Sequence, residues 1–114
     1  MSAEKILGID LGTTNSCLAI LASDGKPVVV ENSEGKRTTP SVSAFTKDGQ
    51  LLVGGAAKHQ RVTNPKKTFS RVKTLMGRKF KELSDRLVKT SPFPIAAGKN
   101  GEAVIKMDDK EFLP

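Results

Sequence analysis

The residues best suited to chemistry lie near the N-terminus, in the segment Asp10-Leu11-Gly12-Thr13-Thr14-Asn15. Gly12 permits a positive φ and a close approach of the backbone to a ligand. The N–H groups and hydroxyls of Thr13 and Thr14 can converge on an anion, and Asp10 stands where a carboxylate could hold a hydrated Mg²⁺. These residue types favour phosphate and metal binding over general acid–base hydrolysis. An ordinary hairpin turn accounts for them equally well.

Three short apolar runs, residues 6–9, 17–21 and 28–30, would position this segment. The gaps between them are too short for helical crossovers, so the sequence predicts antiparallel hairpins. Because the runs are continuously apolar and do not alternate, we expect their sheet to be buried on both faces. No helical pattern that could cover the sheet occurs before about residue 55. The strands are therefore predicted to belong to a larger protein.

After Thr38 the sequence predicts a mixture of short strands and short helices. The Asn64-Pro65 pair should end one helix, and Gly77 is placed to close another in a left-handed conformation. The predicted strands cover residues 41–45, 51–53, 93–97 and 102–107, and the predicted helices cover residues 55–62, 67–76 and 81–89.

The charge balance restricts the partners, since 19 Lys and Arg against 12 Asp and Glu give a net charge of +7. Most of the surplus lies between Lys58 and Lys89, where aromatic residues do not interleave as base stacking requires. This favours a solvated basic face or a phosphate-bearing ligand over nucleic acid. The single Cys17 suits a reducing compartment. With no apolar run of membrane-spanning length and no apolar signal region in residues 1–5, we expect a cytoplasmic location.

Residues 6–17 resemble the opening signature of the seventy-kilodalton heat-shock chaperones of the DnaK type. Further stretches resemble the same family in the same order, namely residues 32–41, 53–54, 57–58, 62–65 and 72–78. The resemblance is highly specific through Arg78 and weaker from Glu82 to Pro114. Actin and the sugar kinases share only a looser Asp-x-Gly-Thr pattern. The P-loop signature is absent from the sequence.

The resemblance implies an α/β fold of the actin-like ATPase (ribonuclease H-like) type, with ATP between two lobes. Residues 1–38 would form the first strands of the base of lobe I with the phosphate loop, and residues 39–114 its small α+β upper subdomain. Asp10 would hold Mg²⁺ through water, and Lys73 would reach the γ-phosphate and the attacking water. The residues that would line the phosphates of ATP or ADP are Gly12, Thr13, Thr14 and Asn15.

The predicted helix over residues 67–76 agrees with a role for Lys73. Phe69, Val72 and Met76 would form one apolar stripe, with the lysine at its edge. The lysine stem could then follow the core while its charge enters a cleft, although a lysine snorkelling at the surface is the alternative. Many relatives carry a second basic residue where this chain has Thr74, so we assign no role to a cation there.

By the same resemblance, the parent protein would couple ATP hydrolysis to binding and release of unfolded polypeptides, assisted by a J-domain co-chaperone and a nucleotide-exchange factor. This chain alone should show negligible turnover, because half of the site would be missing. No nucleic-acid or membrane partner is expected. The alternatives are a non-catalytic interaction fragment and another actin-like kinase, but a kinase should not share residues 37–41 and 62–65.

Overall fold

A computed structural model describes residues 5–114, and it divides them into three antiparallel sheets. The first sheet contains β1 (Leu7–Leu11), β2 (Asn15–Leu21), β3 (Pro27–Val29) and β4 (Thr39–Pro40). The second contains β5 (Val42–Phe45), β6 (Leu51–Val53) and β7 (Thr68–Ser70). The third contains β8 (Ile95–Ala97), β9 (Ala103–Met107) and β10 (Lys110–Phe112).

The first sheet confirms the predicted hairpins, because β2 pairs antiparallel with both β1 and β3. The expectation of burial on both faces is not met within residues 5–114, since all five residues of β1 are exposed and Ile9 is 66% exposed. The radius of gyration is 17.0 Å, whereas a compact chain of this length has about 13 Å. The elongated shape and the exposed apolar side chains of β1 both indicate that the first sheet packs against residues other than those described.

The main core lies between the second and third sheets. It is built on the buried side chains of Phe69, Leu75, Leu83, Phe93, Ala103 and Ile105. A smaller cluster joins Val42 and Ala44 of β5 to Ala57. Ala57 belongs to α1 (Gly55–His59), which is shorter than the predicted helix over residues 55–62. The apolar burial of this chain is thus concentrated in its second half.

The predicted helix over residues 67–76 is wrong. Thr68 and Phe69 are buried in β7, which pairs with β5, and a 3₁₀ turn at Val72–Leu75 follows. Between them Arg71 adopts a left-handed conformation with φ 56°, which interrupts any continuous helix. Sheet pairing and burial of Phe69 outweigh the helical spacing of the apolar residues.

The third predicted helix, over residues 81–89, is only partly present. A 3₁₀ turn at Phe80–Glu82 precedes α2 (Asp85–Thr90), and Leu87 N–H donates to Ser84 Oγ at 3.1 Å to cap the helix. Gly77 has φ 72°, so its predicted positive φ is confirmed, but the helix that it was predicted to close is not formed. Neither helix in residues 5–114 has the length and apolar content needed to cross a membrane. Residues 1–4, which include most of the stretch inspected for a signal region, lie outside the described residues.

Candidate functional site

The loop at residues 12–14 connects β1 to β2, and its shape depends on Gly12. In the register of the two strands Leu11 faces Ser16, so the loop turns immediately beyond this pair. A Cβ added at Gly12 would collide with the carbonyl oxygen of Asn15. Gly12 is not among the glycines with positive φ, so the predicted positive φ is wrong. A glycine is required here because the backbone of Asn15 occupies the space that a Cβ would need.

Ser41, which lies between β4 and β5, fastens the loop to the start of the second sheet. Its N–H donates to Thr14 O at 2.9 Å, and its hydroxyl donates to Gly12 O at 2.7 Å. The hydroxyls of Ser16 and Ser41 lie 2.8 Å apart. Because the Ser41 proton is already given to a carbonyl, the Ser16 hydroxyl donates in this pair. Sequence reasoning did not select Ser41 as a site residue, and only its place in the family-like stretch 32–41 could have indicated it.

The side chain of Lys73 reaches the same loop. Its ammonium nitrogen Nζ donates to Leu11 O at 2.6 Å, across 62 positions of sequence. The lysine side chain thus extends from a distant part of the chain to the end of β1, although the predicted helix over residues 67–76 does not exist. The 3₁₀ turn at Val72–Leu75 delivers the side chain instead.

A cavity of about 520 Å³ lies on one side of the loop, and Gly12, Thr13 and Lys73 all contribute to its wall. This volume is within the range of about 300–1,000 Å³ that is typical of organic ligands. Its remaining wall is largely apolar and includes Val42 and Phe69. The structure thus brings together three of the predicted site residues in one cleft.

Two predicted site residues, Asp10 and Asn15, line none of the cavities described for residues 5–114. Asp10 is exposed and pairs in register with the half-buried Cys17. Since side chains alternate along a strand, Asp10 projects from the sheet face opposite to Leu11. Asn15 is also exposed, at the start of β2.

The donor set at this end of β1 fits a hydrated Mg²⁺ better than a dehydrated metal. In the described part of the chain, no three His, Cys, Asp or Glu side chains gather into a metal-binding group. Mg²⁺ usually keeps several waters and takes one or two carboxylates together with substrate phosphates. One exposed carboxylate beside a loop of N–H and hydroxyl donors meets that requirement, so the residues present are compatible with a Mg²⁺ held through water.

Truncating Ser41 tests how firmly the loop is held. Ser41→Ala removes the hydrogen bond to Gly12 O and leaves the Ser16 hydroxyl without this acceptor, so we expect a loss of about 1 kcal/mol of unfolding free energy. Urea unfolding followed by circular dichroism measures it. Ser43→Ala is the control, because the Ser43 hydroxyl makes no hydrogen bond within residues 5–114. Equal losses in both variants would contradict a fastening role for Ser41.

Comparison with known proteins relates the chain to one family over nearly its whole length. A family model described as "Hsp70 protein" matches residues 6–114. The "Chaperone protein DnaK" of Carsonella ruddii (strain PV) is 52% identical over 112 residues, which cover 97% of this chain and 18% of that protein. The chain therefore spans less than a fifth of the length of this curated relative.

Proposed function

This chain belongs to the Hsp70 protein family, and from that premise we propose that it forms one wall of the nucleotide site of an ATP-driven molecular chaperone. In the whole protein, ATP hydrolysis would control binding and release of unfolded polypeptides. Residues 1–38 would supply the first strands and phosphate loop of lobe I in an actin-like ATPase fold. Residues 39–114 would supply its upper subdomain.

One observation carries this proposal: the 2.6 Å hydrogen bond from Lys73 Nζ to Leu11 O, beside Gly12 and Thr13. A cation from the distant second half of the chain thereby stands at the end of β1, next to backbone and hydroxyl donors. Phosphoryl transfer depends mainly on positioned positive charge and hydrogen-bond donors around the phosphates. This arrangement supports the assignment of the loop as a phosphate-binding wall.

Each residue of the wall has a proposed role. Gly12, Thr13, Thr14 and Asn15 would line the β- and γ-phosphates, through backbone N–H groups and side-chain donors. Lys73 would exchange its contact with Leu11 O for the γ-phosphate, where a fixed cation stabilises developing negative charge. Asp10 would hold water molecules of a bound Mg²⁺, which would supply charge neutralisation at the phosphates. The side chains of this chain thus orient the phosphates, while the adenine pocket would lie elsewhere in the parent protein.

The proposed partners follow from the family. They are ATP or ADP with Mg²⁺, an unfolded polypeptide held by another domain of the parent, a J-domain co-chaperone and a nucleotide-exchange factor. A cytoplasmic location is proposed with them, and a free Cys17 suits that compartment. We propose neither a nucleic-acid nor a membrane partner.

Calorimetric titration of this chain with Mg²⁺-ATP tests the proposal, and binding is the readout because we expect negligible turnover from one wall alone. The chain should bind weakly, and Asp10→Asn should lower the affinity at least about tenfold, because it removes the charge that organises the metal. Asp48→Asn is the matched control, since Asp48 is exposed in the turn between β5 and β6.

Mg²⁺-ATP affinity that is equal in the Asp10→Asn and Asp48→Asn chains would contradict the proposal. A folded chain that binds no Mg²⁺-ATP would mean that the affinity resides in the other lobe of the parent protein and that this chain is a structural half-site. Circular dichroism of each variant establishes that the fold is retained.

A further inference from the structure

The hairpin of β1 and β2 is held through carbonyl groups at its turn. Gly12 O accepts the Ser41 hydroxyl at 2.7 Å, and Thr14 O accepts the Ser41 N–H at 2.9 Å. Because one residue binds both, these two carbonyl oxygens point toward the same side of the loop. A third carbonyl, Leu11 O, accepts from Lys73 Nζ at 2.6 Å. These three acceptors are therefore occupied by residues outside the loop.

The direction of the carbonyls determines the direction of the N–H groups that follow them. A peptide unit is planar, and in its trans form the carbonyl and the N–H point in opposite directions. The two units whose oxygens face Ser41 are trans, so the N–H groups of Thr13 and Asn15 point away from Ser41. Within residues 5–114 the Thr13 N–H donates to no backbone carbonyl. It is thus left to donate to an anion.

Ser41 is itself fixed on both sides by sheet pairing. The residue before it belongs to β4, which pairs with β2 in the first sheet, and the residue after it belongs to β5, which pairs with β7 in the second. The Ser16 hydroxyl, 2.8 Å away, donates to Ser41 Oγ and leaves the Ser41 proton to Gly12 O. The position of the Ser41 hydroxyl and the direction of its proton are therefore both determined before a ligand binds.

We propose that Ser41 is a positioning residue for the nucleotide phosphates, and this proposal rests on the function proposed above. Ser41 does not donate to the phosphates. Its two hydrogen bonds keep the carbonyls of Gly12 and Thr14 turned away from the phosphates, so that the N–H groups of the same peptide units face them. Donors that are already oriented need no rearrangement when negative charge arrives.

Removing the hydroxyl releases one of these peptide units. In Ser41→Ala the Gly12 carbonyl loses its partner, and the unit that joins Gly12 to Thr13 becomes free to rotate. Rotation turns the carbonyl oxygen, which carries partial negative charge, toward the phosphate and turns the Thr13 N–H away from it. Repulsion then replaces a hydrogen bond. The loss should therefore appear in nucleotide affinity as well as in stability.

Titration with Mg²⁺-ATP compares two variants that each remove one hydroxyl. Ser41→Ala should lower the affinity of the 114-residue chain at least about tenfold. Ser16→Ala should keep the affinity within about twofold of the unaltered chain, because Ser41 still donates to Gly12 O in that variant. Circular dichroism establishes that both variants are folded.

The carbonyl ¹³C resonance of Gly12 is a second readout and needs no nucleotide. A carbonyl carbon resonates downfield when its oxygen accepts a hydrogen bond, so the Gly12 resonance should move upfield in Ser41→Ala. In Ser16→Ala it should stay close to its position in the unaltered chain. A general loss of stability leaves this resonance in place as long as the chain is folded, so the resonance reports the orienting contact itself.

Two results would overturn the positioning role of Ser41. One is Mg²⁺-ATP affinity that is no lower in Ser41→Ala than in Ser16→Ala, while Asp10→Asn still binds more weakly than Asp48→Asn; the proposed function then stands without this role. The other is a Gly12 carbonyl resonance that does not move in Ser41→Ala. Equal affinities in Asp10→Asn and Asp48→Asn would instead be a failure of the nucleotide site, and the positioning role would fall with it. If the folded chain binds no Mg²⁺-ATP, the carbonyl resonance alone decides.

Discussion

Replacing Phe69 with alanine should lower the free energy of unfolding by about 3–5 kcal/mol. Phe69 is only 7% exposed and stands in the main core beside Leu75 and Ile105. Its ring makes edge contacts with two other rings, at centroid distances of 6.5 Å to Phe45 and 5.3 Å to Phe93. Truncation would remove these aromatic contacts and open a cavity between the second and third sheets.

Urea unfolding followed by circular dichroism measures this loss of stability as a lower urea concentration at the midpoint of unfolding. Val62→Ala is the control, because Val62 is 89% exposed and its truncation should change stability by less than about 0.5 kcal/mol. Native stabilities are commonly about 5–15 kcal/mol, so Phe69→Ala alone could unfold the chain. The Phe69→Leu variant should lose less unfolding free energy, so its stability can be measured if Phe69→Ala does not fold. A midpoint for Phe69→Ala equal to that of Val62→Ala would contradict the position of Phe69 in the core.

The strands of the first half were predictable because their signals are local. Continuous apolar runs bounded by Gly, Asn, Asp and Ser define each strand and each turn without reference to the rest of the chain. The connections are too short for anything except antiparallel pairing. Local signals of this kind also identified the loop at Gly12, Thr13 and Thr14, although not the close approach of the Asn15 carbonyl that requires the glycine.

The region around Phe69 was mispredicted because its structure depends on distant partners. Phe69, Val72 and Met76 are spaced as they would be on a helix, but Ser43 of β5 pairs with Phe69 and makes the segment a strand. The sequence did not identify Ser41 as a site residue for the same reason, because its hydroxyl donates to Gly12 O across 29 positions of sequence. Periodicity describes only neighbours in sequence, so it cannot reveal contacts of this range.

Replacing Gly12 with alanine is expected to damage both stability and ligand binding. The new Cβ would collide with Asn15 O, which is backbone and cannot rotate away as a side chain would. The loop must therefore shift, at a cost of about 1–3 kcal/mol. A shift would also move Gly12 O away from the Ser41 hydroxyl and displace the N–H groups of Thr13 and Thr14. We expect Mg²⁺-ATP affinity to fall at least about tenfold, because phosphate sites depend on donor placement.

Gly8→Ala separates this effect from the general consequence of adding a methyl group. Gly8 lies in β1, the strand that leads into the loop, and its added Cβ would meet only Ala19 O at 3.8 Å, an ordinary contact. Alanine in a strand interior should stabilise the chain by about 0.5–1 kcal/mol relative to glycine. Thermal unfolding and Mg²⁺-ATP titration of both variants give the comparison. A Gly12→Ala chain as stable and as competent in binding as Gly8→Ala would mean that the loop relaxes freely, and the close approach at Asn15 would then have no part in shaping a phosphate site.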